Sequence, residues 1–373
     1  MYLSSSLVLN MKNKIKIVHI TSMAETGGLS KAVYTLIREQ LKDPELKVGL
    51  LTMVSEGRKQ KDLRNLGCEV LSVPLRRAFD IRYTSPIMRF LKRYEIHQHH
   101  ILILPFVLAS IFCCRKHRIY TSRGGYKMQR EKIKIPLFRF LLNQFFHVFT
   151  ANTKYAALVS AKRFKIPVKD FSIIYNGLDF STIISKRPRS ELRRSMKLDN
   201  NLVIGTASVL HKGKSVERLI RAAAMFKNPS FRVLIVGDGP VKEKLINEAK
   251  SLGINNRVIF TGMQIPPYDY IKAMDIFVFP STSQSFSNNL VEAMSLEIPV
   301  IVFSDSGGAL EHIQDGKIGF VVKNENELVQ CIQKLAMDKQ LRMKIGKAGS
   351  IFVREKYTLT KMTEGYKKIY LSA

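Results

Sequence analysis

Short apolar runs alternate along the chain with longer segments in which apolar residues recur every three or four positions. The runs predict buried strands, and the longer segments predict amphipathic helices. Residues 15–20, for example, form an apolar run, and residues 31–41 after them have the helical pattern. Because this alternation repeats many times, we predict an α/β fold with parallel, doubly wound sheets. The predicted strands are 15–20, 48–54, 69–73, 118–122, 148–152, 202–208, 232–236, 257–261, 275–279, 299–303 and 320–322.

The length of 373 residues suggests two domains of ordinary size. The predicted strand in FSIIYNGLD ends at Asn176-Gly177, a pair that favours a turn. We place the boundary here, with an N-terminal domain of residues 1–178, a C-terminal domain of residues 179–355 and a final helical segment of residues 356–373. Met11 opens MKNKIKIVHI, a natural first strand, so residues 1–10 are interpreted as an extension from an upstream start site.

The charge balance is strongly basic, with 60 Lys and Arg against 30 Asp and Glu and a formal net charge of +30. Such a field favours nucleic acid, an acidic membrane or phosphorylated substrates. No nucleic-acid-binding motif accompanies it, so we predict no nucleic-acid partner. The 4 cysteines form no C-x-x-C pair, which is typical of a reducing cytoplasm. MYLSSSLVLN has no basic leader, and the apolar residues 101–114 fall short of the roughly 20 that a spanning helix needs, so no transmembrane segment is predicted.

The most basic part of the chain is residues 115–139, which hold nine Lys and Arg and one acid, Glu131. Pro136 then opens PLFRFLLNQFFHVF, which is rich in Leu and Phe. Basic residues beside an aromatic helix are typical of docking on an anionic membrane surface. A core helix with a solvated basic flank explains the pattern equally well, and both hold if one face packs while the other contacts lipid.

Three histidines, His97, His99 and His100, occupy neighbouring positions. Such a cluster invites a metal site. Neighbours on a strand, however, point to opposite faces of the sheet. We therefore predict a strand end and no metal site.

Two glycine loops follow predicted strands. Gly27-Gly28 precedes a helix, where bare backbone N–H groups suit a phosphate, although an ordinary tight turn also explains a lone Gly-Gly. The second loop lies within FPSTSQSFSNNLVEAMSLEIPVIVFSDSGGALE, residues 279–311, which combines a strand end, a polar loop, a helix and another strand. Gln284 lies on its polar loop and Glu292 in its helix. Loops at the carboxyl ends of strands are where open α/β sheets bind ligands.

This stretch resembles the retaining nucleotide-sugar glycosyltransferases of family 4, also called group 1, which have the GT-B fold. The family pattern, P-S-x-x-E-[GS]-F-x-N-x-L-x-E-A-M followed by P-V and G-G-x-x-E, is present from Pro280 to Glu311, except that Gln284 replaces the first acidic residue. FSIIYNGLD resembles the family's domain junction. The resemblance covers about the whole chain and implies two Rossmann-like domains facing across a cleft, with the C-terminal helix crossing back to the N-domain.

The resemblance also implies roles for residues of the C-terminal domain. Glu292 matches the carboxylate that accepts hydrogen bonds from the ribose hydroxyls, and Gln284 stands where the first Glu contacts the sugar. Lys214 matches the lysine that binds the donor diphosphate. The other predicted donor-binding residues are Gly27, Gly28, His211, Gly237, Gly262, Met263, Phe286, Ser287 and Asn288.

Val209 stands where the family has an Arg, so His211 or Lys212 is the candidate for the second positive charge. On the N-terminal side, relatives carry an H-x-H that His97 and His99 match, and His99 is predicted to touch substrate. Arg123 is predicted to hold an anionic acceptor group or phosphate, with a solvated surface arginine as the alternative. The predicted catalytic set is His99, Arg123, Lys214 and Gln284.

The function implied is transfer of a sugar, with retained anomeric configuration, from a nucleotide-diphosphate sugar without a metal or other cofactor. The basic N-terminal domain suggests a lipid-linked glycan acceptor, in the assembly of bacterial lipopolysaccharide, O-antigen or capsule, and a cytoplasmic location peripheral to the inner face of the cytoplasmic membrane. Two alternatives stay open. One is a glycosyltransferase that acts on a soluble acceptor, and the other is a non-catalytic paralogue in which Gln284 and Val209 mark a lost donor site.

Overall fold

A computed structural model of the chain describes residues 14–25, 27–74, 83–124, 134–226 and 230–372. They form two compact units. Unit 1 comprises the residues up to Leu178 and those from Leu359 onward, and unit 2 comprises Asp179–Thr358. Residues 125–133, which belong to the predicted membrane-docking region, and the start-site extension lie outside the described residues.

The described strands and helices alternate as the sequence pattern requires. The strands are β1 Ile15–Thr21, β2 Leu46–Thr52, β3 Glu69–Ser72, β4 Ile96–His99, β5 His117–Ser122, β6 Val148–Ala151, β7 Phe171–Ile173, β8 Leu202–Ala207, β9 Phe231–Val236, β10 Val258–Phe260, β11 Ile276–Phe279, β12 Val300–Phe303 and β13 Phe320–Val322. The helices are α1 Gly28–Gln40, α2 Arg58–Asn65, α3 Thr84–Leu91, α4 Leu104–Cys113, α5 Lys134–Phe145, α6 Lys154–Phe164, α7 Arg189–Ser195, α8 Glu217–Ala224, α9 Lys242–Ser251, α10 Tyr268–Ala273, α11 Asn288–Ser295, α12 Glu325–Met337, α13 Lys339–Lys356 and α14 Leu359–Ser372.

The sheet of unit 1 is parallel, with the order β3-β2-β1-β4-β5-β6-β7. Its strand order reverses between β1 and β4. The core beside β1 is completed by α14, whose Met362, Tyr366 and Tyr370 are buried in one cluster with Val33 and Leu36 of α1. The last helix is therefore part of unit 1, as the resemblance implies.

The sheet of unit 2 is also parallel, with the order β10-β9-β8-β11-β12-β13. Buried β-branched and aromatic residues such as Val233, Ile235, Ile276 and Val278 fill its core. The strand order reverses between β8 and β11, which creates a switch point where ligands of open α/β sheets bind. The prediction of doubly wound α/β architecture is confirmed.

The apolar residues 101–114 contain a short helix, α4, with Pro105 in its first turn. Proline is compatible with this position because the first N–H groups of a helix have no partner within the helix. Among the described residues, no helix is long and apolar enough to cross a membrane.

Candidate functional site

Two side chains from separate loops meet at the carboxyl edge of the unit 2 sheet. Lys214 follows β8 and Gln284 follows β11, the strands on either side of the switch point. Lys214 Nζ donates a hydrogen bond to Gln284 Oε1 over 2.9 Å. Burial lowers the pKa of Lys214 to about 8. A partly desolvated cation at this edge is a candidate ligand for an anion.

The loop that carries Lys214 is a single 3₁₀ turn, Lys212–Lys214, capped by His211. The His211 ring nitrogen Nδ1 accepts a hydrogen bond from the Gly213 backbone N–H over 3.2 Å. Burial and the nearby Lys214 charge lower the pKa of His211, so the ring is a neutral cap at neutral pH and not the second cation. Val209 is 40% exposed and brings no charge. Lys212 is exposed and stays the candidate for that charge.

Gln284 is held by backbone on both sides. The backbone N–H of Gln284 donates to the Ser306 carbonyl over 3.2 Å, and the backbone carbonyl of Gln284 accepts from the Gly308 N–H over 2.7 Å. These bonds join the loops that follow β11 and β12. Gly307 between them has a φ of 65°, a left-handed conformation that favours glycine.

Helix α11 begins directly after the Gln284 loop, with Ser287 at its N-cap and Asn288 as its first residue. The buried Ser287 hydroxyl has no hydrogen-bond partner among the described residues. Asn289 Nδ2 donates to the Ala207 carbonyl over 2.6 Å, which ties the helix start to the end of β8. Glu292, one turn into the helix, is 5% exposed. The N-terminus of a helix attracts anions, so this edge of unit 2 combines a favourable dipole with Lys214.

Phe286 lies on the same loop and packs against an aromatic cluster. Its ring lies 4.6 Å from that of His312 and 5.1 Å from that of Tyr357, measured between centroids. His312 Nδ1 is 2.6 Å from the Tyr357 hydroxyl. The side chain of Phe286 therefore anchors the loop, and only its backbone is a candidate ligand.

The loops after β9 and β10 meet through Gly237 and Gly262. The Gly237 N–H donates to the Gly262 carbonyl over 2.9 Å, and the two residues have φ angles of 141° and 71°. A Cβ at position 237 would lie 1.9 Å from the Ser208 carbonyl oxygen. Met263 follows and is 45% exposed. The predicted donor residues that lie at this carboxyl edge of unit 2 are His211, Lys214, Gly237, Gly262, Met263, Gln284, Phe286, Ser287, Asn288 and Glu292.

Gly27 and Gly28 lie in unit 1, after β1. Gly27 is the N-cap of α1, with a φ of 107° and nothing within 4 Å of the position that a Cβ would occupy. Its carbonyl accepts a hydrogen bond from the Lys31 N–H over 3.1 Å. Both glycines are exposed, as close approach of a ligand to the backbone would require.

The histidines of β4 are arranged differently from the prediction. His97 and His99 point to one face of the sheet, where His97 Nδ1 lies 2.8 Å from Ser110 Oγ. The His99 ring lies edge-on to Phe146, is fully buried and has no hydrogen-bond partner among the described residues. The prediction that His99 touches substrate must be corrected, because the side chain has no exposed atom. The histidine that directly follows the strand is His100.

His100 belongs to a continuous chain of hydrogen bonds through unit 1. Arg123 Nε donates to His100 Nδ1 over 3.0 Å, so His100 Nε2 carries the proton that points to His19 Nδ1, 2.9 Å away. His19 Nε2 then donates to Gln40 Oε1 over 2.7 Å, and Gln40 Nε2 donates to the Tyr370 hydroxyl over 2.9 Å. This order requires both imidazoles to be neutral.

The series of hydrogen bonds continues from Tyr370 to β4 and β5. The Tyr370 hydroxyl donates to Gln98 Oε1 over 2.5 Å, and Gln98 Nε2 donates to Thr121 Oγ1 over 2.8 Å. Burial and the nearby Arg123 charge lower the pKa values of His19, to about 3, and of His100. We name the set His19, Gln40, Gln98, His100, Thr121, Arg123 and Tyr370 the polar chain.

The Arg123 guanidinium has further partners in unit 1. It donates to Asn176 Oδ1 over 2.7 Å and to the Tyr366 hydroxyl over 3.0 Å. Arg123 thus joins the end of β5 to the turn after β7 and to α14. Its assignment to an acceptor group stays a prediction.

The sequence analysis did not single out His19, Gln40, Tyr366 or Tyr370. One signal for His19 was available, since a histidine inside the apolar run IKIVHI must satisfy its ring nitrogens in the core. Among the described residues, no group of three or more His, Cys, Asp or Glu is arranged to hold a metal ion.

Residues 188–351, nearly all of unit 2, match the family model described as Glycosyl transferases group 1. Unit 2 is a group 1 glycosyltransferase domain. The capsular polysaccharide biosynthesis glycosyltransferase CapM of Staphylococcus aureus is 26% identical over 96% of this chain and 97% of its own length. The O-antigen biosynthesis glycosyltransferase WclY of Escherichia coli is 24% identical over 95% of this chain and 98% of its own.

Solved structures share the fold of the whole chain. HepE of Anabaena, solved with UDP and glucose, superposes with a TM-score of 0.84 over 96% of this chain and 100% of its own, at 19% identity. The lipopolysaccharide outer core galactosyltransferase WaaB superposes with a TM-score of 0.71 over 96% of this chain and 99% of its own, at 18% identity. The prediction of the GT-B fold is confirmed.

Proposed function

We propose that this glycosyltransferase moves a sugar from a nucleotide-diphosphate sugar to a lipid-linked glycan, with retained anomeric configuration, in the assembly of a bacterial surface polysaccharide. The observation that carries the proposal is the pairing of Lys214 with Gln284 beside the N-terminus of α11. A diphosphate suits this cation and helix dipole, and a buried carboxylate such as Glu292 suits the vicinal hydroxyls of a ribose.

The chemistry assigned to the site is positioning and stabilisation of the leaving group. The bond between the sugar C1 and the diphosphate oxygen breaks, and the acceptor oxygen bonds to C1 on the same face. The acceptor proton passes to the departing diphosphate oxygen, and the nucleoside diphosphate leaves. Lys214 and the backbone N–H groups at the start of α11 would stabilise the developing negative charge, and no metal ion is required.

Nucleotide binding tests the donor assignment. Calorimetry with UDP, GDP and ADP in EDTA is expected to show micromolar affinity for one of them, with UDP the first candidate because HepE was solved with it. Glu292→Ala is expected to weaken that affinity about tenfold to about 100-fold, the value of hydrogen bonds to a charged group. Glu191→Ala, which removes an exposed carboxylate of α7, serves as the control and should bind like the wild type.

Two outcomes contradict the donor assignment. If the wild type binds none of the three nucleotides, the non-catalytic alternative takes the lead. If Glu292→Ala binds as tightly as Glu191→Ala, the ribose role of Glu292 is wrong. Binding in the presence of EDTA also tests the proposed independence from metal ions.

The assignment of a lipid-linked acceptor rests on the surface of unit 1 and on the relatives. Leu137 and Phe140 of α5 are exposed apolar residues. Leu137 lies in the predicted membrane-docking region 115–139, and Phe140 directly follows it. The relative from Campylobacter jejuni, 30% identical over 48% of this chain and 48% of its own, is named as acting on a diphospho-undecaprenol acceptor. CapM and WclY are named for capsule and O-antigen synthesis. A cytoplasmic enzyme peripheral to the inner membrane fits these acceptors.

Vesicle binding tests the membrane assignment. The protein is expected to sediment with vesicles of anionic phospholipid at low salt and not with zwitterionic vesicles. Leu137→Ser/Phe140→Ser is expected to lower the bound fraction at least about threefold, because each buried apolar side chain contributes roughly 1.5 kcal/mol or more. Met337→Ser, which changes an exposed apolar residue of unit 2, is the control. Equal loss in both variants, or no binding to anionic vesicles, would favour a soluble acceptor.

A further inference from the structure

Lys214 is paired with an amide in a position where a carboxylate would neutralise it. Its Nζ bonds to Gln284 Oε1, and among the described residues it forms no ion pair with an acid. Its pKa is lowered to about 8 by burial, with no acidic neighbour to raise it. The Lys214 ammonium is therefore partly desolvated and has no counter-charge among the described residues.

The orientation of the Gln284 amide is fixed by two backbone carbonyls. Its Nε2 donates to the Thr282 carbonyl over 2.9 Å and approaches the Gly213 carbonyl at 3.5 Å. Oε1 is therefore the atom that faces Lys214. A glutamate in the same position has no hydrogen to donate and would place a carboxylate oxygen against the Thr282 carbonyl. The Gln284 amide thus donates to the local backbone and accepts from Lys214.

We propose that Gln284 is a positioning residue that orients Lys214 through a neutral hydrogen bond and leaves its positive charge for the donor diphosphate. This inference rests on the proposed function, in which Lys214 binds that diphosphate. It also gives the departure from the family pattern at position 284 a role in this chain, because the amide holds the lysine without neutralising it.

The proposal predicts how nucleotide affinity depends on pH. Near its pKa, part of the Lys214 population is uncharged in the free protein, and a bound diphosphate favours the charged form. Binding therefore takes up a proton, and affinity falls by up to about tenfold for each pH unit above the pKa of Lys214 in the free protein. Among the described residues, the Lys214 ammonium faces Gln284, and its titratable neighbour is His211, which is neutral at that pH.

The experiment is calorimetry with the nucleoside diphosphate that the wild type binds, at several pH values and in buffers of different ionisation enthalpy. Gln284→Glu is expected to weaken binding about tenfold near neutral pH and to move the alkaline fall in affinity upward by about one pH unit, because a carboxylate neutralises and retains the lysine charge. Gln284→Met removes the hydrogen bond without adding charge, and should weaken binding without moving the pH profile upward. Gln333→Glu, on the exposed face of α12, adds the same charge elsewhere and is the matched control.

The outcomes separate this inference from the proposed function. If the wild type binds a nucleotide and Gln284→Glu has the affinity and pH profile of Gln333→Glu, the role of Gln284 is wrong and the donor site stands. If the wild type binds no nucleotide, both fail. Titration of the Lys214 side chain by NMR, without ligand, must also show a higher pKa in Gln284→Glu, and an unchanged value overturns the inference even if that variant binds weakly for another reason.

Discussion

Replacing Gly237 by alanine is expected to cost unit 2 about 4 kcal/mol of its free energy of unfolding. The φ of 141° is strained for any residue with a side chain, which accounts for about 1–3 kcal/mol. The new Cβ would also overlap the Ser208 carbonyl oxygen at 1.9 Å. Its three nearest atoms are all backbone atoms of Ser208, which leaves little room for relaxation. The adjoining Gly239 is packed in the same way, with its Cβ position 2.3 Å from the Leu210 carbonyl oxygen.

Gly253→Ala is the matched control for Gly237→Ala. Gly253 also has a positive φ, 69°, but nothing lies within 4 Å of its Cβ position. Only the backbone preference is lost there, about 1 kcal/mol. Urea unfolding measures both losses, and it is followed by circular dichroism because the chain has no tryptophan for fluorescence. Hydrogen exchange at β8 and β9 assigns the losses to unit 2. Equal losses in the two variants would show that the contact with Ser208 carries no cost.

Acid is expected to unfold unit 1 before unit 2. Burial lowers the pKa values of the four buried histidines described in unit 1, to about 3 for His19, to about 4 for His97 and well below 6.5 for His99 and His100. In the described part of unit 2, burial lowers the pKa of one histidine to a similar extent. It is His312, whose pKa is about 3. Between those values and 6.5, the unfolded chain binds protons that the folded chain does not.

The sign follows from that difference in bound protons. The free energy of unfolding has its full value above about pH 6.5. It falls as the pH drops, by about 1.4 kcal/mol per pH unit for each such histidine. The polar chain also loses its order when either of its histidines is protonated, because two N–H groups would then face each other. Urea unfolding at several pH values, with hydrogen exchange in β1 and β8 to distinguish the units, measures the effect.

His99→Leu tests the cause of the acid sensitivity. It removes a buried imidazole that has no hydrogen-bond partner among the described residues, so the variant should be at least as stable as the wild type at neutral pH and should lose one histidine's share of the pH dependence. His97→Leu, on the same face of β4, also removes a hydrogen bond to Ser110 and should be less stable by about 1–3 kcal/mol. An unchanged pH dependence in His99→Leu would contradict the assignment.

The sequence was sufficient for the architecture because each strand–helix step is encoded locally. The helical pattern of residues 31–41, for example, corresponds to α1, which spans Gly28–Gln40. The loop residues of unit 2 could be assigned to one edge because parallel strands all end on the same side. The bond between Lys214 and Gln284 depends on side-chain conformations that no pattern encodes.

The histidines of β4 show where sequence reasoning was insufficient. Alternation along a strand separates His97 and His99 from Gln98 and His100, but the face of the sheet on which each pair lies depends on the register, in which Ile20 pairs with His99. A one-residue shift moves every side chain to the other face. The partners of Arg123 were equally inaccessible, since Tyr366 lies 243 positions further along the chain.

The contribution of α14 to unit 1 has a consequence for synthesis on the ribosome. Unit 2 is one uninterrupted stretch, Asp179–Thr358, whereas unit 1 needs residues on both sides of it. At roughly 5–20 residues per second, translation of that stretch takes about 10–40 seconds, during which Val33 and Leu36 lack the helix that covers them and Gln40 lacks Tyr370. The N-terminal unit is therefore expected to mature after the C-terminal one, and to be the part of the nascent chain that depends on chaperones.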